Sequence, residues 1–224
     1  MNLELLHLCD SLFPIGSFGY SDGLESAVDA GGVATTDDLR AWLDVCLDET
    51  LGRNDGPAVR GASLAIADAD WNRMIAIDEE LTALRPASSA RQSSRAMGRR
   101  LLTAWQHLRP DVRLERMRSF VESHRLGPTL PVAFAAASVC AGADSRSAVE
   151  AFAYTRLAAT ISAAMRLMAI GQTEAHTLLA RVLDRVPGVV DGIMDRDPGM
   201  ESFAPAMDIA VMSHQYVRSR LFRS

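Results

Sequence analysis

Ser145-Arg146-Ser147-Ala148-Val149-Glu150-Ala151-Phe152-Ala153-Tyr154-Thr155-Arg156-Leu157-Ala158-Ala159-Thr160-Ile161-Ser162-Ala163-Ala164-Met165-Arg166-Leu167-Met168 is the stretch on which the fold turns. Val149, Phe152, Leu157, Ile161 and Leu167 recur at helical spacing, so one stripe of this segment must face a core. Asp144 or Ser145 stands where an N-cap belongs, and Gly171 where a C-terminal cap belongs. The spacing predicts the longest helix of the chain from there to about Met168.

The same period extends outward on both sides. Towards the N-terminus, the alanine-rich run Pro131–Gly142 lets neighbouring helices approach closely. Before it come Leu114, Met117 and Val121, then Met97, Leu101, Trp105 and Leu108 up to Pro110. Trp71, Met74, Ile75, Leu81 and Leu84 form another stripe, ended by Pro86. Thr36 reads as an N-cap with Asp37 and Asp38 in its first turn, ahead of Leu39, Trp42, Leu43, Cys46 and Leu47. That helix is expected to stop around Gly52 to Gly56. Towards the C-terminus, Gln172–Val186 reads as a helix closed by Pro187-Gly188, and Ala206–Val217 as a short one. No run of alternating β-branched residues and no Asn-Gly or Asp-Gly hairpin turn argues for strands. The expectation is all-α: one domain over residues 1–224, of roughly eight to ten packed helices, with an irregular N-terminal loop and a C-terminal tail.

Composition narrows the function classes. The net charge of −5 offers no cationic footprint for nucleic acid. All 23 basic residues are arginine. Without lysine there is neither a Schiff-base amine nor a Walker-type phosphate lysine. Cys9, Cys46 and Cys140 are odd in number and far apart, as reduced cytosolic thiols buried as small hydrophobes would be. The N-terminus lacks a basic region followed by a long apolar run, so no secretory signal is expected. The longest charge-free stretch, 126–143, is broken by Gly127, Pro128 and Pro131, too interrupted to span a bilayer. A soluble, cytoplasmic protein is expected.

Three segments do not fit a plain bundle. The first runs from Leu12 to Glu25: it is loop-like in its glycines and Pro14, yet carries Phe13, Ile15, Phe18 and Tyr20. An aromatic loop packs inward or meets a partner. Within it, Gly19-Tyr20-Ser21-Asp22-Gly23 matches the G-x-S-x-G nucleophile elbow, a motif that works only at a strand-to-helix turn. Ser21 as the nucleophile of a small hydrolase is therefore the rival from the enzyme class. The second is Arg166, between Met165 and Leu167, which must snorkel, cap carbonyls or meet another helix or subunit. The third is the tail, where Leu221 and Phe222 are framed by Arg218, Arg220 and Arg223. That combination has the arginine and aromatic enrichment of protein-binding hot spots, and folding back onto its own domain is equally open to it.

At these segments the sequence resembles the urease accessory protein F family. Phe13-Pro14-Ile15-Gly16-Ser17-Phe18, Ser21 and Gly23-Leu24-Glu25 look like its signature loop. Arg166-Leu167, Ile170-Gly171-Gln172-Thr173 and Leu178-Leu179 look like its central helix pair, and Ser219–Ser224, after Asp208-Ile209 and His214, like its terminal signature. Ser94 and Gly98-Arg99-Arg100-Leu101-Leu102 add a fourth match. The resemblance implies a non-enzymatic, dimer-forming protein that joins a second scaffold protein (the D/H type), a nickel-carrying GTPase (the G type) and apo-urease. In that complex it regulates the GTPase while nickel is delivered, and binds no cofactor of its own. Tyr20, Thr129, Ala135 and Gln215 depart from the family pattern, which puts metal handling at those positions in question.

From these segments, Pro14, Ile15, Gly16, Phe18, Ser21, Glu25, Arg218, Arg220, Leu221 and Phe222 are the candidate partner-binding residues. Arg166 and Gln172 are the candidates for helix packing or dimerisation. The loop around Phe18 and the tail around Arg220 are expected to pack together or side by side. His7, His107, His124, His176 and His214 lack close ligand spacing, so no stored metal site is expected. One exposed histidine, His214 above all, could still pass nickel along as a metallochaperone, since imidazole suits that ion.

Overall fold

Leu130–Cys140 forms α8, and every position from Leu130 to Val139 is buried. A helix apolar on all sides must be surrounded, and α8 is the hub. Around it pack α4 (Gly56–Ala67), α6 (Ser88–Leu108) and α9 (Ser145–Leu167). Ala133, Ala135, Ala136 and Ala137 are fully enclosed, and their small volume lets three helices close on one axis. The computed structural model describes residues 1–123, 127–196 and 199–223. His124 and Ser224 lie outside them. Among the described residues there is no strand, and no helix is long and apolar enough to cross a membrane.

The buried start of α8 needs partners for its free N–H groups, and two neighbouring helices supply them. Asp78 Oδ1, on α5 (Trp71–Ala83), accepts from Thr129 N–H and Thr129 Oγ1, each at 2.7 Å. Ser94 Oγ on α6 accepts the Leu130 N–H at 3.0 Å. The approach of α6 is so close that a Cβ at Gly98 would lie 2.2 Å from Pro128 O. Only glycine fits there.

The long helix forms as its periodicity predicts. Asp144 caps it by accepting the Ser147 N–H at 2.7 Å, and Val149, Phe152, Leu157 and Ile161 are buried. Its C-terminus differs: Met168 is extended there, and Gly171, at φ −73°, instead precedes α10 (Gln172–Leu183). The helix after Pro86, α6, and α7 (Val112–Ser123) also lie where the stripes place them.

Three further boundaries are corrected. The helix α3 (Thr36–Val45) is capped by Thr35, one residue earlier than expected, through a capping box with Asp38. It does not stop at Gly52–Gly56 but continues as a π-helical stretch, Cys46–Asp55, straight into α4. The glycines there make room for a neighbour: a Cβ on Gly56 would meet Ile193 Cδ1 at 2.7 Å. Ile193 belongs to α11 (Val186–Asp195), which Pro187 begins from its first turn where it was expected to close a helix. At the base of the π-helical stretch, Asp55 pairs with Arg85 at 2.5 Å. Burial pushes that carboxyl up, against the opposing pull of the guanidinium.

The remaining elements are α1 (Leu3–Leu8), a single turn Ser17–Gly19, α2 (Leu24–Asp29) and α12 (Pro205–Ser213), which packs on α2 and runs into a single turn, His214–Tyr216. Cys9, Cys46 and Cys140 are free and half-buried; burial pushes their thiols up to about 11, 12 and 12.

Candidate partner-binding site

The aromatic loop and the tail meet on one guanidinium. Arg166 sits near the end of α9 with its Cζ 4.3 Å from the Phe18 ring centroid and 4.2 Å from that of Phe222. Its Nη1 also donates to Phe18 O at 2.8 Å. Two phenyl faces and one carbonyl thus accommodate a cation on an otherwise apolar helix end. The sequence flagged the residue as costly; its solution lies far away in the chain at both ends.

A second contact locks the tail from below. Glu25, on α2, is only 3% exposed. Its Oε1 accepts the Leu221 N–H at 2.6 Å, its Oε2 accepts the Phe222 N–H at 3.3 Å, and His214 Nε2 lies 2.6 Å from Oε2. The Arg223 N–H donates to Gly19 O at 2.8 Å. Arg220 turns back on its own segment, donating to Val217 O and Gln215 O.

The loop reaches this position through two left-handed glycines. Gly16, at φ +73°, lies under Arg100, which donates to Ile15 O. Gly23, at φ +88°, faces α12, where a Cβ would meet Val211 Cγ2 at 2.9 Å. Both the dihedral and the close approach require glycine. Asp22, also left-handed, is bonded to Arg156 of α9.

Burial divides the candidate residues into two roles. Pro14, Gly16, Phe18, Arg218, Arg220 and Leu221 are exposed, and Ile15 is partly so. Ser21, Glu25 and Phe222 are buried, so as surface contacts they are corrected: they hold the surface that the others present. Gln172, the first residue of α10, is exposed and takes no part in these contacts. Phe18, Tyr216 and Leu221 are exposed apolar residues of the loop and the tail.

The nucleophile-elbow reading loses its context. Ser21 is 3% exposed and its carbonyl accepts the Leu24 N–H, opening α2 directly from a loop with no strand before it. His214, the weak candidate for passing nickel along, is buried, with its Nε2 engaged by Glu25. His7 packs its ring against Phe13, while His107 and His176 stand apart on exposed positions. Among the described residues no group of three or more His, Cys, Asp or Glu side chains could hold a metal ion. Of the departures from the family pattern, Thr129 stands at the N-cap position of α8 and donates to Asp78, Ala135 fills the core, and Gln215 donates to Met212 O.

Sequence reasoning missed the groove beside this clasp. A cavity of about 710 Å³ opens between α1, the loop and α9, floored by Ala151, Ala158, Ala159 and Ala163 and edged by Tyr20, Phe18 and Phe222. Its signal was present in the small residues along one side of α9, but α1 was not recognised as its other wall.

The UreF family profile matches residues 33–183. Urease accessory protein UreF of Paracidovorax citrulli is 31% identical, over 99% of this chain and 88% of that protein. The protein of the same description from Nitrosococcus oceani is 32% identical over 98% and 97% of the two chains. That of Lachnoclostridium phytofermentans is 29% identical over 99% and 98%. With most of the chain inside the family profile and near full-length similarity to these relatives, the chain belongs to the UreF family of urease accessory proteins.

Proposed function

We propose that this protein is a cytoplasmic, non-enzymatic scaffold of urease maturation. It docks a second accessory scaffold protein of the D/H type and recruits the nickel-carrying GTPase of the G type. It acts as a homodimer in the complex that inserts nickel into apo-urease, without a cofactor of its own. A maturation role alongside other urease accessory proteins follows from the family. The observation that supports the finer reading is the Phe18–Arg166–Phe222 stack, which gathers both ends of the chain into one surface. An aromatic patch with arginines on its rim is the composition that hot spots favour. The absence of lysine leaves the GTP chemistry to the partner.

The test uses exposed positions, so that the fold is spared. Leu221→Asp and Phe18→Ala are expected to melt close to the unchanged protein and to capture far less of the scaffold partner in pull-downs. Normal recruitment by both variants would refute the assignment of this surface.

A further inference from the structure

Between Glu80 and Asp111 the chain carries six arginines and no acidic residue, its longest acid-free stretch, although the net charge of the whole is −5. Most of that stretch is α6. No exposed position of the helix is acidic, and its exposed arginines are Arg99 and Arg100. Among the described residues, the carboxylates bonded to this stretch meet it at its ends. Asp55 pairs with Arg85 ahead of the helix, and Glu4 and Glu115 meet Arg109 and Gln106 at its close. Arg91 and Arg95 are half-buried; they donate to the carbonyls of Arg85 and Pro86 and to Thr82 Oγ1. Two cations remain, on one middle turn.

Arg99 and Arg100 are seated without being neutralised. Each occupies space that a glycine leaves open. A Cβ at Gly127 would lie 2.7 Å from Arg99 Nη1, and a Cβ at Gly16 would lie 2.8 Å from Arg100 Nη1. Arg100 donates to Ile15 O, and among the described residues Arg99 makes no hydrogen bond or ion pair. A guanidinium has five N–H donors in a planar fork that matches a carboxylate. Seating such a side chain in advance reduces the entropy it loses when a ligand orders it.

We propose that this turn of α6 docks an acidic surface of a partner protein, whose Asp or Glu side chains are received by Arg99 and Arg100. This rests on reading the chain as a partner-binding protein and deepens it, since Arg100 ties the cationic turn to the loop that carries Phe18. Charge complementarity selects the occupant. A second copy docking by the same turn about a two-fold axis would set these cations against their own counterparts. A nucleic acid or an anionic membrane calls for a longer cationic track than one helical turn offers. A few carboxylates on a folded surface match two seated guanidiniums.

The test separates charge from seating. Binding of the second accessory scaffold protein, of the GTPase and of apo-urease to the full chain is measured by calorimetry at low and at physiological ionic strength. Melting temperatures are the control for folding. Arg99→Glu is expected to weaken one of the three about tenfold or more, because it sets like charges together, and to flatten that partner's salt dependence. Gly127→Ala changes no charge. Its Cβ displaces only the end of the flexible Arg99 side chain, so melting should shift little while the same partner binds about two- to fivefold more weakly. Unchanged binding of all three by Arg99→Glu overturns the proposal, as does a loss that ionic strength does not alter or that Gly127→Ala does not share. If Arg99→Glu affects only the binding of a DNA duplex or of phosphatidylserine vesicles, the ligand is a phosphate and the proposal also falls. Leu221→Asp separates the two readings. If it abolishes scaffold binding while Arg99→Glu changes nothing, the loop-and-tail surface stands and the α6 assignment alone fails; if the unchanged protein binds none of the three, both fail.

Discussion

Replacing Glu25 by Gln tests whether the tail is held by one carboxylate. The substitution preserves shape but turns one acceptor oxygen into a donor. In the native arrangement both oxygens are used, by the Leu221 and Phe222 N–H groups and by His214 Nε2. The variant therefore leaves at least one buried N–H facing another donor, and the bonds that persist lose their charge assistance. A hydrogen bond to a charged group contributes about 1.5–3 kcal/mol, and an unsatisfied buried donor costs about 1–3 kcal/mol. Taking the lower halves of both ranges, the tail should open about 3 kcal/mol more easily, or roughly 100-fold more often. Amide hydrogen exchange reads this directly. Leu221 and Phe222 should lose about two orders of magnitude of protection while amides of α8 keep theirs, because local openings exchange independently of the core. Glu25→Asp, which keeps the charge but falls one methylene short, should lie between. Unchanged protection at Leu221 and Phe222 in the Gln variant would refute the clasp, as would an equal loss throughout α8.

Two further perturbations probe the hub. Gly98→Ala places a Cβ 2.2 Å from Pro128 O, a backbone atom that cannot swing aside; destabilisation of about 1–3 kcal/mol or more, read by urea denaturation, is expected, and a neutral result would mean that α6 and the α8 entry are not in contact. Asp78 has its carboxyl raised, first by burial, with Thr129 opposing; a raised folded value adds stability below the unfolded aspartate range that is lost as pH climbs through the folded value, so Asp78→Asn should flatten the decline in urea midpoint on the rising-pH side of about 3.9, and parallel curves for the two proteins would contradict this.

How much was legible depended on whether a signal was local. The helix from Ser145 announces itself because its stripe and its Asp144 cap lie within one segment. Pro187 misled because proline both follows helices and begins them, and nothing within the segment separates the two uses. In the site, Phe18, Leu221 and Arg166 stood out as apolar or charged residues in the wrong surroundings. Glu25 did not stand out as a buried anchor, since its partners are 196 and 197 positions away and a glutamate in the first turn of a helix looks ordinary. Asp22 and Arg156, 134 positions apart, were hidden for the same reason.

The π-helical stretch between α3 and α4 acts as a phase shifter. Each residue of an α-helix advances the side chains by about 100°, so one residue more or fewer turns everything beyond it by that angle. Through Cys46–Asp55 the wider turns set which side of α4 meets α8, and Ala58, Ala62 and Ala65 end up inward while Arg60 reaches out to the carbonyls of Ile193 and Arg196. Deleting a single residue there would put Arg60 where the fully buried Val59 now sits. Changes of chain length are thus far harder to absorb inside this unbroken rod than in the loops, even though Gly52 and Gly56 make it look, on paper, like a place to cut.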